Sequence, residues 1–246
     1  MRRLLPAPSD DVDLVSAYAY PALPSRRPWL RGNMIASADG AATVDGRAGG
    51  LGNPTDQRLL GLLRALSDVV IAGAGTVVAE GYGPARAREQ YQAVRSAAGQ
   101  PPAPVMAVVS NRLRLDFSSR YFTEARERPI VVTSEAAPAD LLRAAHQAAD
   151  VIVAGARVVD PALMVKALAE RGHHRLLCEG GPTFLGAAVE AGALDELCLT
   201  ISPLLVGGPA RRVLDGPVIS PPAEMKLTQL LIDDDELLYA RYEVQR

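Results

Sequence analysis

The chain of 246 residues is 48% hydrophobic and 4% aromatic, with a formal net charge of −2. That is ample apolar material for a large core, and with no basic stripe it excludes a nucleic-acid partner. No run approaches the ~18 apolar residues of a membrane span, and the opening Met-Arg-Arg-Leu-Leu-Pro lacks a signal peptide's apolar core, so a soluble cytoplasmic protein without a membrane partner is expected.

Residues 1–28, with Pro21, Pro24 and Pro28 spaced through them, predict an extended surface arm; residues 29–246 read as a single domain. A strand over 30–36 runs into Ser37-Ala38-Asp39-Gly40. Asp39 either contacts substrate there or folds back to organise the turn. A helix follows over 54–66, capped by Asn53, with Pro54 in its first turn and Leu59, Leu60, Leu62, Leu63 and Leu66 as the apolar face. Arg64 lies in its last turn, where a cation complements the helix dipole.

The apolar run 68–72 then breaks into Gly73-Ala74-Gly75-Thr76. Val78 stands where a dinucleotide fingerprint has its third small residue, so a Rossmann reading is disfavoured. Residues 80–102 are a polar interruption, expected as a surface helix and loop. A strand over 105–110 ends at Ser110-Asn111-Arg112, whose serine and arginine suit a ribose 2′-phosphate or, equally, a solvated loop. Strands over 130–133, 151–154 and 175–178 alternate with helices over 140–149 and 160–170, the latter capped by Asp160 before Pro161.

The strand 175–178 stops at Glu179 and is followed by Gly180, Gly181, Pro182, Thr183, Phe184 and Leu185, the last of these inside a helix over 183–189. A strand, a glycine turn and a helix start aim free N–H groups at one spot, which suits a phosphate. Glu179 would disfavour an anion beside it and is expected to meet a neutral or hydrogen-donating part of a ligand. Paired with Gly73–Thr76, the turn could clamp a diphosphate. C-terminal strands over 196–205, 225–232 and 236–244, with a turn at 233–235, have little helix between them. The fold class is therefore α/β: a mixed, mainly parallel sheet with helices on both faces and antiparallel C-terminal strands.

Cys178 and Cys198 sit in apolar runs and read as buried reduced thiols. With His146, His173 and His174 in or after helices and no Cys-x-x-Cys, no metal site is expected. Gly-x-Ser-x-Gly and Gly-Lys-Ser/Thr are absent, so the most economical enzyme is one whose chemistry resides in a bound cofactor.

Five segments occur in a recognisable order: Ser-Ala-Asp-Gly at 37–40, Leu-Arg-Ala at 63–65, residues 68–77, Glu-Gly-Gly at 179–181, and the stretch 194–208. The ordered set resembles the riboflavin-biosynthesis pyrimidine reductases, which are dihydrofolate-reductase-like in fold. The resemblance implies NADPH binding, hydride transfer to a phosphoribosylaminopyrimidine, and a homodimer formed through the C-terminal strands. By position it matches Thr76 and Gly181 through Ala187 to the family's NADPH-binding segments, Ser110 to a residue near the adenosine phosphate, and Arg64 and Glu179 to substrate-contacting positions. Joined to the turns read above, the expected cofactor set is Gly73, Gly75, Thr76, Glu80, Ser110, Arg112 and Gly180 to Leu185, and the expected set at the small-molecule substrate is Asp39, Arg64 and Glu179. Zinc-deaminase signatures found upstream in bifunctional relatives are missing. The stretch 79–86 departs from the family's acidic-Asn/Asp-Pro-x-Leu-Thr-x-Arg pattern and keeps an acid at Glu80. Two alternatives stay open: a dihydrofolate or other dihydropterin reductase, and a nucleotide-binding sensor without catalysis.

Overall fold

The computed structural model describes residues 1–22 and 27–245. In chain order the elements are β1 (Arg2–Leu5), α1 (Leu14–Ala17), β2 (Trp29–Ser37), α2 (Pro54–Leu66), β3 (Val69–Gly73), α3 (Ala74–Ala79), α4 (Gln92–Ala97), β4 (Val105–Val109) and α5 (Arg120–Thr123). They continue with β5 (Ile130–Thr133), α6 (Ala139–Ala148), β6 (Asp150–Val153), α7 (Pro161–Glu170), β7 (Arg175–Cys178), α8 (Pro182–Glu190), β8 (Glu196–Ser202), β9 (Met225–Ile232) and β10 (Leu238–Val244).

The strands form one sheet in the order β1-β9-β10-β8-β2-β7-β3-β4-β5-β6. From β8 to β6 the pairings are parallel, and β10, β9 and β1 close the other side antiparallel. The period-two geometry of a strand sends alternate residues to opposite faces, so helices must cover both. Val69 and Ile71 of β3 and Leu176 of β7 pack with Met164, Leu168, Leu185 and Ala188 of α7 and α8. Val70 and Leu177 point the other way, onto Leu59, Leu62, Leu63 and Leu66 of α2 and Ala145 of α6.

Local signals explain where the long helices begin. The Asn53 side chain accepts from Asp56 N at 2.8 Å, and Pro54 takes the first turn of α2. The same Asn53 donates to Asp233 Oδ2 at 2.8 Å, tying the helix start to the turn between β9 and β10. Asp160 caps α7 by accepting from Ala162 N and Leu163 N.

Two regions differ from the sequence expectation. The segment read as an arm carries β1, paired antiparallel with β9, and the single turn α1; Tyr18 behind it is 1% exposed. Pro24 lies outside the described residues. In the polar interruption 80–102, Arg95 of α4 is buried, because its guanidinium donates to Ala65 O (2.8 Å), Ser67 O (2.9 Å) and Pro101 O (2.6 Å). The carbonyls at the end of α2 need such a donor, and an arginine fork supplies several at once. Among the described residues no helix is long and apolar enough to cross a membrane, and no cluster of His, Cys, Asp and Glu could hold a metal ion. Both cysteines are free and buried.

Candidate active site

β3 and β7 are adjacent and parallel, so their glycine turns leave the sheet at the same edge. Gly73 N donates to Gly180 O at 2.8 Å, and Glu179 N to Ile71 O at 2.8 Å, joining the two turns by backbone. A side chain would force them apart: a Cβ on Gly73 would lie 3.2 Å from Gly181 N, and one on Gly181 2.7 Å from Thr76 Oγ1. Gly180 has φ +86°, a conformation open to glycine, and the Gly180–Gly181 peptide is cis. α8 starts at once from Gly181, with no side chain capping its first turn.

Beside the joined turns stands a charged cluster. Arg64 Nε and Nη2 donate to the two oxygens of Glu179, each at 2.6 Å, in the planar fork-to-carboxylate geometry that arginine favours. The Tyr82 hydroxyl donates to Glu179 Oε2 at 2.6 Å, and the Arg64 guanidinium carbon lies 5.1 Å from the Tyr82 ring centroid. Burial works against the Arg64 cation, but Glu179 outweighs it and holds Arg64 above its ordinary value. Burial, then Glu179, pushes Tyr82 above the usual phenol range. Both therefore keep their protons at neutral pH. The Glu179 side chain is 3% exposed and that of Arg64 30% exposed, so the group presented to a ligand is the guanidinium.

Turns and cluster share one cleft of about 1350 Å³, beyond the ~300–1,000 Å³ of ordinary small-molecule pockets. Of the residues singled out in the sequence, Arg64, Gly73, Gly75, Thr76, Glu80, Glu179, Gly181, Pro182, Thr183 and Phe184 line it. Glu80 has a defined partner: its Oε1 accepts from Ala48 N at 2.9 Å and holds the loop 43–50 beside the cleft. Gly180 and Leu185 support the turn from below, Leu185 being fully buried in the core. Ser110 is buried, with its carbonyl accepting from Thr133 Oγ1 at 2.8 Å, and neither it nor the exposed Arg112 lines the cleft; Asn111 between them does. Asp39 lies off the cleft wall, its carboxylate taken up by Ser37 and by backbone N–H groups of Val206 and Gly207.

Sequence reasoning missed Tyr82, Arg88 and Arg211, which line the cleft. Tyr82 is far from Glu179 in the chain, and no local pattern joins them. For Arg88 a signal existed: Gly61 interrupts the leucine face of α2, and a Cβ there would come within 2.6 Å of Arg88 Nη1.

An open, mainly parallel sheet with a charged cleft at the carboxyl ends of its strands is the α/β arrangement in which ligands are held at that edge. The chain belongs to the RibD C-terminal domain family, whose model matches residues 28–239, and it is an oxidoreductase. A pyrimidine reductase-like protein from Corynebacterium diphtheriae superposes with a TM-score of 0.82 at 30% identity, over 96% of this chain and 100% of that one. A 2,5-diamino-6-ribosylamino-4(3H)-pyrimidinone 5′-phosphate reductase from Methanothermobacter thermautotrophicus is 31% identical over 192 residues, 77% of this chain and 85% of the relative. Dihydrofolate reductase from Enterococcus faecalis shares the fold, with a TM-score of 0.51 at 14% identity over 89% of this chain and 97% of that one.

Proposed function

We propose that the protein is an NADPH-dependent reductase that converts the ribosylamino group of a phosphoribosylaminopyrimidine to a ribitylamino group. The observation that carries this reading is the joined pair of glycine turns standing beside the Arg64–Glu179–Tyr82 cluster in one cleft. The joint fits a dinucleotide phosphate: Gly75 has open space where a Cβ would stand, and the first turn of α8 is uncapped. Gly73, Gly75, Thr76 and Gly181 to Phe184 would hold the cofactor, and when bound it supplies the hydride.

The chain's own residues bind, orient and shield. Glu179, with two donors already on it, is a positioning residue that fixes the Arg64 fork. Arg64 offers the pyrimidine a fixed cation and donor edge, and Tyr82 closes the far side of the guanidinium. The Tyr82 proton stays on its oxygen, directed at Glu179 Oε2, so the cluster orients the substrate without giving up a proton. Glu80, by holding Ala48 N, keeps the loop 43–50 beside the reacting groups, which limits water and fixes alignment. A dihydropterin and a diaminopyrimidinone share an amino edge, so what supports the pyrimidine is the kinship with the pyrimidinone phosphate reductases.

The test is a steady-state assay of NADPH oxidation with the ribosylaminopyrimidine phosphate and, separately, with dihydrofolate. Turnover with the first and not the second is expected. Turnover with dihydrofolate alone would overturn the substrate assignment, and tight NADPH binding without turnover on either would favour a sensor.

A further inference from the structure

The Asp39 carboxylate, just past β2, accepts from the Ser37 hydroxyl and from the N–H groups of Val206 (3.2 Å) and Gly207 (2.7 Å). Ser37 first, then these two amides, hold its pKa down to about 2. Backbone bonds run alongside, from Ala38 N to Leu204 O at 2.9 Å and from Ala42 N to Arg211 O at 2.7 Å. Farther along the same segment, Asp215 N donates to Pro182 O at 3.2 Å, in the first turn of α8. Its carbonyl oxygen would lie 2.9 Å from a Cβ at Gly186, so the segment rests directly on that helix. Residues 204–215 are thus a strap fastened to the end of β2 and to the start of α8.

Between the fastenings the strap enters the cleft wall at Pro209, Ala210 and Arg211. The Arg211 side chain is 69% exposed, and Asp215 lies 3.9 Å from it, a loose surface pair that leaves the guanidinium free for an anion. An arginine fork matches phosphate oxygens, and this one is tethered to the same turn of α8 that the cofactor reading uses.

We propose that Asp39 is a positioning residue that fastens the strap, so that Arg211 contacts the phosphate groups of the bound nucleotide. This rests on the NADPH reading above and assigns Asp39 a task away from the substrate. The carboxylate matters because it is the acceptor at the fastening; Arg211 matters because it touches the ligand.

The test titrates the protein with NADPH alone, followed by its fluorescence, and measures cleavage by trypsin, which cuts after Arg211 and Arg212. Asp39→Asn should raise the Kd for NADPH about tenfold and speed strap cleavage about tenfold, as expected when a charge-assisted fastening is lost. Arg211→Ala, at a side chain that is 69% exposed, should raise the Kd by a similar factor. The double variant should add little to either single one, because both act along one path. NADPH should slow strap cleavage in the unaltered protein. Unchanged Kd and cleavage in Asp39→Asn would overturn the proposal, as would an Arg211→Ala protein that keeps its NADPH affinity and loses only affinity for the pyrimidine phosphate. Failure of the unaltered protein to bind NADPH would instead overturn the proposed function. Cleavage rates of Asp39→Asn would still judge the fastening.

Discussion

Two arginine–carboxylate clusters lie at opposite ends of the parallel strands, and they do different things with the same groups. Glu196, at the start of β8, sits between Arg31 (2.7 Å) and Arg241 (2.8 Å) and accepts from Trp29 Nε1 at 3.0 Å. Neither the Arg31 nor the Glu196 side chain is exposed. Their remaining donors turn inward, Arg31 to Tyr18 O and Arg241 to Ala17 O, each at 2.8 Å, which pins the N-terminal segment to the sheet. Glu179, just past β7, is held as tightly by Arg64 and Tyr82, yet Arg64 keeps part of its guanidinium in the cleft. A charge pair with every partner inside the protein can only fasten; one with a face toward solvent can also bind.

The comparison breaks most visibly at the closed end. Glu196→Gln leaves two cations, one fully buried, without their counter-charge, and should cost about 3–5 kcal/mol of stability by denaturant unfolding. Turnover per folded molecule should be unchanged; a large loss of turnover in protein that is still folded would mean the closed cluster reaches the site. At the open end, Glu179→Gln should lower kcat/KM for the pyrimidine about 100-fold, equivalent to ~2.7 kcal/mol, while the Kd for NADPH stays nearly constant. A variant that lost cofactor affinity instead would show that Arg64 and Glu179 belong to the nucleotide. Tyr82→Phe removes one donor to a carboxylate and should cost about tenfold in KM with a smaller change in kcat; an unchanged KM would make Tyr82 mere packing.

The smallest effect is in acid. Burial pushes Glu196 up, but Arg31 and Arg241 outweigh it and hold its carboxyl below the usual range. A depressed folded-state value means the stabilisation is present above the unfolded value of ~4.3 and is lost as pH falls through the folded one. Unfolding free energy should therefore decline below about pH 4, and Glu196→Gln should flatten that decline. A variant with the same acid limb would show that other carboxylates carry it.

The parts of this molecule legible in the sequence are those written within a few residues. Asn53-Pro54 and Asp160-Pro161 mark helix starts because a cap and a fixed φ act on the next turn, and α2 and α7 begin there. Glu179-Gly180-Gly181 and Gly73-Ala74-Gly75 announce turns because φ and close approach demand glycine, and the sheet brings those turns into contact. What stayed hidden depends on partners far along the chain. Arg64 taken alone shows only a dipole complement, because Glu179, the carboxylate it grips, lies 115 residues farther along the chain, and Asp39 carries no local sign of its bonds to the Val206 and Gly207 amides. β1 escaped notice because a four-residue edge strand next to proline carries too little pattern to register, and its partner β9 lies at the other end of the chain.

The account depends on one cleft holding a nicotinamide nucleotide and a ribosylaminopyrimidine phosphate together. The most direct measurement is NADPH consumption on adding that pyrimidine phosphate to the purified protein, with the product identified by mass. Oxidation of NADPH in step with a product heavier by two hydrogens is the predicted result; NADPH left unoxidised, with the pyrimidine unchanged, would contradict it.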